Sequence, residues 1–282
     1  MAEALAPTAS VTRAFFPSTR SVARTSAGVV RRIATVLAYI LVALLIWQGF
    51  IVAFDVDPLL VPAPIPVLQA LATQLTSPVI WSATWVTFQE AVFGFGIGAA
   101  VGMAIAITLS ESKLLYRLLN PYIVAFQAIP KVALTPLFIV WFGFGIWSKV
   151  VLIATFTFFP VMVNMYQGLR STTSEEEELM RVSHATRWQR FRHLRLYRSL
   201  PYLFAAFEAS FVLCLTGAVL AELLGSGTSV GLGTLVQMYT SSYNMAGLFG
   251  IITLLSLFGV LFDLVVKGTA RIVLRWNRKN DH

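Results

Sequence analysis

Six apolar blocks, each about as long as a membrane-spanning helix, constrain what this chain can fold into. A helix needs about 20 mostly apolar residues to cross a hydrocarbon core of roughly 30 Å. Hydrophobic residues make up 57% of the 282 residues and charged residues 12%, whereas soluble domains average about 45–50% and roughly 25%. The sequence therefore predicts an all-α polytopic membrane protein with six transmembrane helices. The blocks cover about residues 33–54, 85–109, 122–142, 150–166, 202–224 and 245–266.

One integral domain, residues 30–270, holds all six blocks, and a tail is expected on each side of it. Residues 1–29 are rich in Ala, Ser, Thr and Arg. They are expected to be a disordered cytoplasmic tail, although the composition also mildly resembles an organelle transit peptide. Residues 271–282 are expected to be a basic cytoplasmic tail.

The basic residues predict how the helices are oriented. The net charge is +8, but the charges lie at the ends of apolar blocks, which indicates membrane orientation and not nucleic-acid binding. Six crossings place both termini on one side. If that side is the cytoplasm, it holds 19 of the 21 Lys and Arg residues, as the positive-inside rule requires. Only Lys131 and Lys149 lie elsewhere, the second in a loop on the opposite side.

The second block carries a repeated small-residue pattern. Gly94, Gly98 and Gly102 are spaced by four residues, so they share one face of a helix. Such a face lets another helix approach closely in lipid. Before this block, a proline-rich stretch and an amphipathic pattern over residues 66–75 predict a short helix at the membrane interface.

The charged segment, residues 170–198, reads as two short helices separated by a break. Ser174 with Glu177 has capping-box spacing, and Thr186 with Gln189 repeats it. The pair Leu200-Pro201 marks the return to the membrane. A solvated loop whose arginines contact anionic lipid headgroups is one interpretation. Two capped helices instead favour docking into a groove on a partner protein.

The run from Glu178 to Thr186, followed by Leu200-Pro201, resembles the EAA loop of bacterial ABC-importer permeases. In that family the loop, here about residues 170–201, contains the coupling helix that sits in a cleft of the ATPase subunit. Leu179 and Met180 stand where the family has alanines, His184 where it has glycine, and Tyr197 where an earlier proline is common. These departures suggest a dedicated ATPase partner. The residues that the resemblance assigns to ATPase coupling are Glu178, Arg181, Val182, Ser183, His184, Ala185 and Thr186.

Two further stretches are similar to permeases of the nitrate/sulfonate/taurine group. One runs from Gln127 to Lys149, and the other contains Ala221-Glu222 followed by Gly231-Leu-Gly233. Together with the prolines after the first block, the resemblance covers about residues 58–265. The Gln-x-x-Pro-Lys-Val-Ala-Leu run is more similar to the branch that imports pyrimidine precursors and riboflavin.

Polar residues inside the spans are candidates for lining the solute pathway, because charges there are costly and usually face an interior or a water-filled cavity. Lys131 follows Pro130, where a broken backbone would open a cavity wall. The candidates for pathway or gate are Gln127, Lys131, Asn164, Glu90 and Glu208. For Glu90 and Glu208 the alternative is pairing with polar groups on neighbouring helices. Glu222 also qualifies as a charged residue in a span, and for it a position at the outer interface is the strong alternative.

The chain has no Gly-x4-Gly-Lys-Ser/Thr loop for ATP phosphates, no metal-ligand spacing among its three histidines and a single cysteine. The resemblance therefore implies separate ATPase subunits that bind ATP and Mg, an external solute-binding protein and a second permease copy, most simply in a homodimer. The bacterial inner membrane is the implied location. The solute would be a pyrimidine or vitamin precursor, a sulfonate, taurine or nitrate. An ion-coupled secondary transporter is the rival function, but it predicts internal repeats that the sequence does not show.

Overall fold

A computed structural model of the chain describes residues 19–225 and 229–275, and all regular structure in those ranges is helical. Eleven α-helices are joined by short turns, by a 3₁₀ turn at Lys131–Leu134 and by a π-helical turn at Phe191–Arg195 within the described ranges. The helices are α1 (Thr19–Ala53), α2 (Pro64–Leu75), α3 (Pro78–Glu111), α4 (Lys113–Ala128), α5 (Thr135–Phe142), α6 (Ile146–Leu169), α7 (Ser174–Val182), α8 (Arg187–Arg190), α9 (Leu196–Leu224), α10 (Leu232–Ser241) and α11 (Met245–Val273).

Five of the described helical segments are long and apolar enough to cross a membrane, and a bent pair brings the number to six. The bent pair consists of α4 and the segment Lys131–Phe142, which meet at 85°. The bend follows Ile129-Pro130, because proline lacks the N–H that a continuing helix needs and disfavours a helical residue before it. The predicted all-α polytopic architecture is confirmed.

Helix α1 belongs to a unit of its own, residues 1–56. Its apolar part, Ala34–Ala53, is long enough to span a membrane. The helix begins at Thr19, so the predicted tail of residues 1–29 is helical from there on. Residues 1–18 of that tail lie outside the described ranges, as do residues 276–282 of the predicted basic tail.

In the second unit, residues 57–282, α3 packs on α6 through its glycine face. A Cβ on Gly94 would lie 2.5 Å from Ile153, and one on Gly98 2.5 Å from the Ala154 carbonyl oxygen. Gly102 faces the same helix, with 2.7 Å to the Phe158 carbonyl. Glycines therefore bring the two backbones together, as the small-residue spacing predicts.

Helix α9 also packs on α6. Gly168 at the end of α6 meets Ser199, and Gly217 of α9 meets the Phe156 ring of α6. The largest buried apolar cluster draws residues from α3, α6 and α9, among them Leu109, Met165 and Leu203. These three helices form the centre of the unit.

Two shorter helices complete the second unit. Helix α2 is held to α11 by Gln74, whose side-chain amide donates to the Gly247 carbonyl at 2.8 Å. Helix α10 lies between the fifth and sixth apolar blocks, and it packs through Leu232 and Leu235 against α3 and α11. The sequence did not predict this helix.

The second helix of the charged segment was predicted to be short, and this prediction is wrong. The chain is helical without a break from Arg187 to Leu224, and Pro201 lies inside α9. A π-helical turn, Phe191–Arg195, precedes it. Proline within a helix removes one backbone hydrogen bond and does not necessarily end the helix.

Candidate functional site

Two polar regions lie at opposite ends of the α3–α6–α9 centre, and the charged segment forms the first. Helix α7 starts with a capping box in which the Glu176 N–H donates to the Thr173 hydroxyl at 3.3 Å and the Thr173 N–H to the Glu176 carboxylate at 3.2 Å. The box lies one residue before the predicted pair Ser174/Glu177. Hydrogen bonds from its own backbone amide and from Thr173 lower the pKa of the exposed Glu175 carboxyl below its usual value.

The second predicted capping box is confirmed. The Gln189 N–H donates to the Thr186 hydroxyl at 3.2 Å, and the Thr186 N–H donates to the Gln189 side-chain oxygen at 2.8 Å. Each of these bonds satisfies a backbone donor that the first helical turn leaves free. The two boxes fix where α7 and α8 begin.

The turn between α7 and α8 has His184 in the left-handed region, with φ +52°. The His184 N–H donates to the Arg181 carbonyl at 2.9 Å and the Ala185 N–H to the Met180 carbonyl at 3.0 Å. This bond pattern is a Schellman motif, whose left-handed position usually holds glycine. Histidine is one of the side chains that enter this region more often than most. His184 therefore keeps the turn that a glycine would give.

Ion pairs fasten one face of α7 to the chain that leads into α9. Glu177 accepts a hydrogen bond from Arg195 Nε at 2.9 Å and lies 3.9 Å from Arg190. Glu176 accepts two hydrogen bonds from the Arg198 guanidinium, one of them at 3.2 Å from Nε. The acidic first turn is thus paired with arginines 18 and 22 residues later.

The other face of α7 makes no ion pair with any residue that the structure describes, and it carries apolar side chains. Leu179 and Val182 are 67% and 72% exposed, and Trp188 of α8 is 66% exposed. They form the exposed apolar patch, beside which Glu178 is also exposed. Of the residues predicted for coupling, six are exposed and Ala185 is half-buried; the six are Glu178, Arg181, Val182, Ser183, His184 and Thr186.

The second polar region, the buried polar network, comprises Thr87, Glu90, Lys149 and Glu222. Lys149 Nζ donates to Glu90 Oε1 at 2.8 Å, and the two side chains are 3% and 0% exposed. Lys149 also donates to the Ser229 hydroxyl at 3.1 Å. The ion pair therefore joins the first turn of α6 to α3 and to the chain before α10.

Glu222 holds the start of α10. Its Oε2 accepts hydrogen bonds from the N–H groups of Gly233 at 2.5 Å and Thr234 at 3.3 Å, while Oε1 accepts one from the Thr87 hydroxyl at 2.7 Å. Thr87 in turn accepts the Leu232 N–H at 2.9 Å. A carboxylate is favoured at a helix N-terminus, where free N–H groups carry partial positive charge.

The sequence placed one member of this network wrongly. Lys149 does not lie in an outer loop but in the first turn of α6, where it is buried. Glu222 is buried near the end of α9. Glu90 follows the predicted alternative and pairs with a neighbouring helix. One sequence signal could have predicted the role of Glu222: it precedes Gly233 by 11 residues, and glycines mark the start of the short helix α10.

The remaining pathway candidates are dispersed. Gln127 is exposed, and the half-buried Lys131 has its amine 6.0 Å from the Phe156 ring centre. Asn164 donates to the Pro160 carbonyl at 2.9 Å, and Glu208 is half-buried on α9. Within the described ranges, no hydrogen bond or ion pair joins any two of the five predicted pathway residues. Their predicted role therefore stays a prediction.

Comparisons with known proteins agree with these features. The model of the family "Binding-protein-dependent transport system inner membrane component" matches residues 94–276. The formylaminopyrimidine transport permease protein ThiX of Halalkalibacterium halodurans is 32% identical over 223 residues, which are 79% of this chain and 88% of the relative. The riboflavin transport system permease protein RibX of Chloroflexus aurantiacus is 30% identical, over 84% of this chain and 88% of the relative.

A solved structure has the same fold. A chain of the inward-facing MetNI methionine ABC transporter, from the CY5 SeMet soak crystal form, superposes with a TM-score of 0.57 at 23% identity and covers 69% of this chain and 94% of its own length. The resemblance that the motifs indicate is confirmed, including the pyrimidine-precursor and riboflavin branch. This chain, a transport permease subunit, belongs to the family of binding-protein-dependent transport system inner membrane components.

Proposed function

We propose that this permease couples ATP hydrolysis by separate ATPase subunits to solute uptake through the exposed apolar patch of α7 and α8. The observation that carries the proposal is the two-sided character of α7. One face is paired with arginines, and the other leaves Leu179 and Val182 in solvent. An apolar face on a short helix, flanked by a charged residue such as Glu178, suits a groove on a partner protein.

The ion pairs give the patch a mechanical role. A helix that moved independently of the spans would not pass a displacement to them. Glu176 and Glu177 tie α7 to Arg198 and Arg195, and Arg195 lies 3.7 Å from Glu111 at the end of α3. Closure of the ATPase subunits would therefore move α3 and α9 together with α7, which is the rocking that alternating access requires.

The charged segment would face the cytoplasm, as would both termini if the bent α4–Phe142 segment crosses the bacterial inner membrane as one span. ATP and Mg would be bound by the ATPase subunits. A solute-binding protein would deliver the solute to the opposite face, and a second copy of the chain would complete the passage as a homodimer. These assignments follow the family and the distribution of basic residues.

The solute is proposed to be a small organic molecule of the pyrimidine-precursor or vitamin type. The support is the identity of 32% and 30% to permeases named for formylaminopyrimidine and riboflavin transport. Gln127, Lys131, Asn164 and Glu208 remain candidates for contact with it, because polar groups in spans usually face a pathway.

A charge reversal at Glu178 tests the coupling. Glu178→Arg is expected to insert normally but to lower both solute-stimulated ATPase activity and uptake about tenfold or more, as loss of one interface anchor does. Arg271→Glu is the control, because it reverses an exposed charge on α11 away from the patch. Both variants would be assayed in proteoliposomes with the ATPase and the binding protein. Unchanged solute-stimulated ATPase activity in Glu178→Arg would refute the docking role.

A further inference from the structure

A polar cavity of about 420 Å³ opens at the charged end of the unit. Its walls come from the turn between α3 and α4, from the end of α6, and from α7 and the chain leading into α9. The exposed apolar patch proposed for docking lies on the other face of α7, whereas Glu177, Arg195 and Glu111, which tie α7 to the chain before α9 and to α3, line this cavity.

The cavity has more positive than negative charge. Two acidic side chains, Glu111 and Glu177, line it together with five basic ones. The five are Lys113, Arg170, Arg181, Arg190 and Arg195. A neighbouring cavity of about 240 Å³ adds Arg187 beside Glu111, Arg190 and Arg195. Clustering like charges in this way is unfavourable unless a counter-ion is present.

The two carboxylates do not neutralise the cluster. Both are paired with Arg195, at 2.9 Å from Glu177 and 3.7 Å from Glu111, and Glu177 also lies 3.9 Å from Arg190. Within the described ranges, Lys113 and Arg181 make no ion pair. Arg190 has its Nε atom buried without a hydrogen-bond partner among the described residues. A buried guanidinium N–H without an acceptor is costly, so this donor requires an acceptor.

Tyrosines of a kind typical of the lipid-headgroup level lie beside the cavity. The rings of Tyr116 and Tyr166 stack at 4.3 Å between centroids. The Tyr166 hydroxyl accepts a hydrogen bond from Arg170 at 2.8 Å, and Arg170 lines the cavity. Tyrosines are enriched at the membrane–water interface, with the ring in the apolar layer and the hydroxyl facing polar groups.

We propose that this cavity binds a phosphate-bearing anion, supplied by the headgroup of an anionic phospholipid. The planar guanidinium fork matches phosphate oxygens in pairs, and basic pockets between helices at the cytoplasmic surface suit such headgroups. The bound headgroup bridges the α3–α4 turn, the end of α6 and the charged segment. Anionic lipid therefore stabilises the geometry in which α7 presents its exposed apolar patch.

The test measures lipid selection by the full chain without its ATPase, so its outcome is independent of the proposed coupling. The protein is equilibrated with an equimolar mixture of phosphatidylglycerol and phosphatidylcholine, purified again, and its retained lipids are quantified by mass spectrometry. The wild type is expected to enrich phosphatidylglycerol. In Lys113→Gln/Arg190→Gln the phosphatidylglycerol enrichment is expected to fall about fivefold for each cation removed. Arg192→Gln/Arg275→Gln removes the same amount of charge outside the cavity, and this control is expected to enrich phosphatidylglycerol as the wild type does.

A second arm separates the two sources of phosphate. Thermal unfolding of the wild type in phosphatidylcholine is compared in inorganic phosphate and in chloride at equal ionic strength. If phosphate stabilises the wild type, Lys113→Gln/Arg190→Gln abolishes that effect and no lipid is enriched, the cavity is a phosphate site whose ligand is the free anion. Equal enrichment in both double variants, with no phosphate effect, would overturn the proposal. Absence of both effects together with weaker ATPase binding in Lys113→Gln/Arg190→Gln would also overturn it, since the cavity would then accept carboxylates of the ATPase.

Discussion

Two ion pairs of nearly equal length allow the contribution of burial to be measured within one protein. Lys149 and Glu90 are 2.8 Å apart with side chains 3% and 0% exposed, whereas Lys267 and Asp263 are 2.7 Å apart with side chains 45% and 37% exposed. Removing one partner of a buried pair costs about 3–5 kcal/mol because the other charge stays in a medium of low dielectric constant. An exposed pair within one helix contributes only about 0.3–0.5 kcal/mol.

We therefore expect Lys149→Met to destabilise the protein by about 3–5 kcal/mol and Lys267→Met by less than about 0.5 kcal/mol. The first substitution leaves Glu90 without its cation, beside the carboxylate of Glu222, with which it interacts. Adding Glu90→Gln removes that uncompensated charge. The double variant Lys149→Met/Glu90→Gln is therefore expected to be more stable than Lys149→Met alone, by about 1 kcal/mol or more.

The assay is thermal unfolding of the detergent-solubilised full chain, followed by tryptophan fluorescence. A loss of about 3 kcal/mol corresponds to a fall in Tm of about 6 °C or more for a protein of this size. Equal shifts for Lys149→Met and Lys267→Met would refute the argument from burial. A double variant less stable than Lys149→Met would show that Glu90 is stabilised by groups other than the lysine.

Three further sets of substitutions test the packing of α3, the turn after α7 and the acidic first turn of α7. Gly98→Ala is expected to destabilise the protein by about 1–3 kcal/mol, since the new Cβ would lie 2.5 Å from the Ala154 carbonyl oxygen. Gly96→Ala should instead stabilise the protein by up to about 1 kcal/mol, because a Cβ at Gly96 would have no atom within 4 Å. The same direction of Tm shift in both variants would contradict the packing of α3 on α6. His184→Gly should stabilise the turn by about 1 kcal/mol and His184→Val should destabilise it, because φ at this residue is +52°. Hydrogen exchange of the α7 amides measures the effect. Identical protection of α7 in the two variants would argue against a left-handed residue at this position. The pKa of the Glu175 carboxyl is below its usual value of 4.5. The stabilisation that the ionised carboxylate gives to α7 is therefore present above that pH and is lost as the pH falls through the lower pKa of the folded state. Hydrogen exchange of the α7 amides should rise in that acid window, and it should rise less in Glu175→Gln.

Much of the charged segment follows from local sequence. Thr186 with Gln189 predicts a capping box, and that box forms, because all of its bonds lie within four residues. The first box forms one residue early, at Thr173, since three adjacent residues of the Thr172-Thr173-Ser174 run can each cap a helix. The arginine partners of α7 lie 18 and 22 residues away, and no local pattern predicted that pairing.

The glycine face of α3 was also predictable, because helical periodicity alone places Gly94, Gly98 and Gly102 in one line. Which helix they meet was not predictable, since that depends on how α6 folds back along α3. The 85° bend after α4 shows the same limit. Pro130 predicts a break in the helix, but the direction of the chain after it depends on what it packs against.

Local sequence was enough to predict an all-α membrane protein, the positions of its spans, and the helix starts and the break in its charged segment. Those properties depend on residues within one or two helical turns, or on the length of an apolar block. The burial of Lys149 and Glu222 depends instead on tertiary contacts. Their partners Glu90 and Thr87 are 59 and 135 residues away. A charged residue becomes tolerable inside such a protein only when folding brings an opposite charge or free N–H groups to it, and no local pattern encodes that meeting.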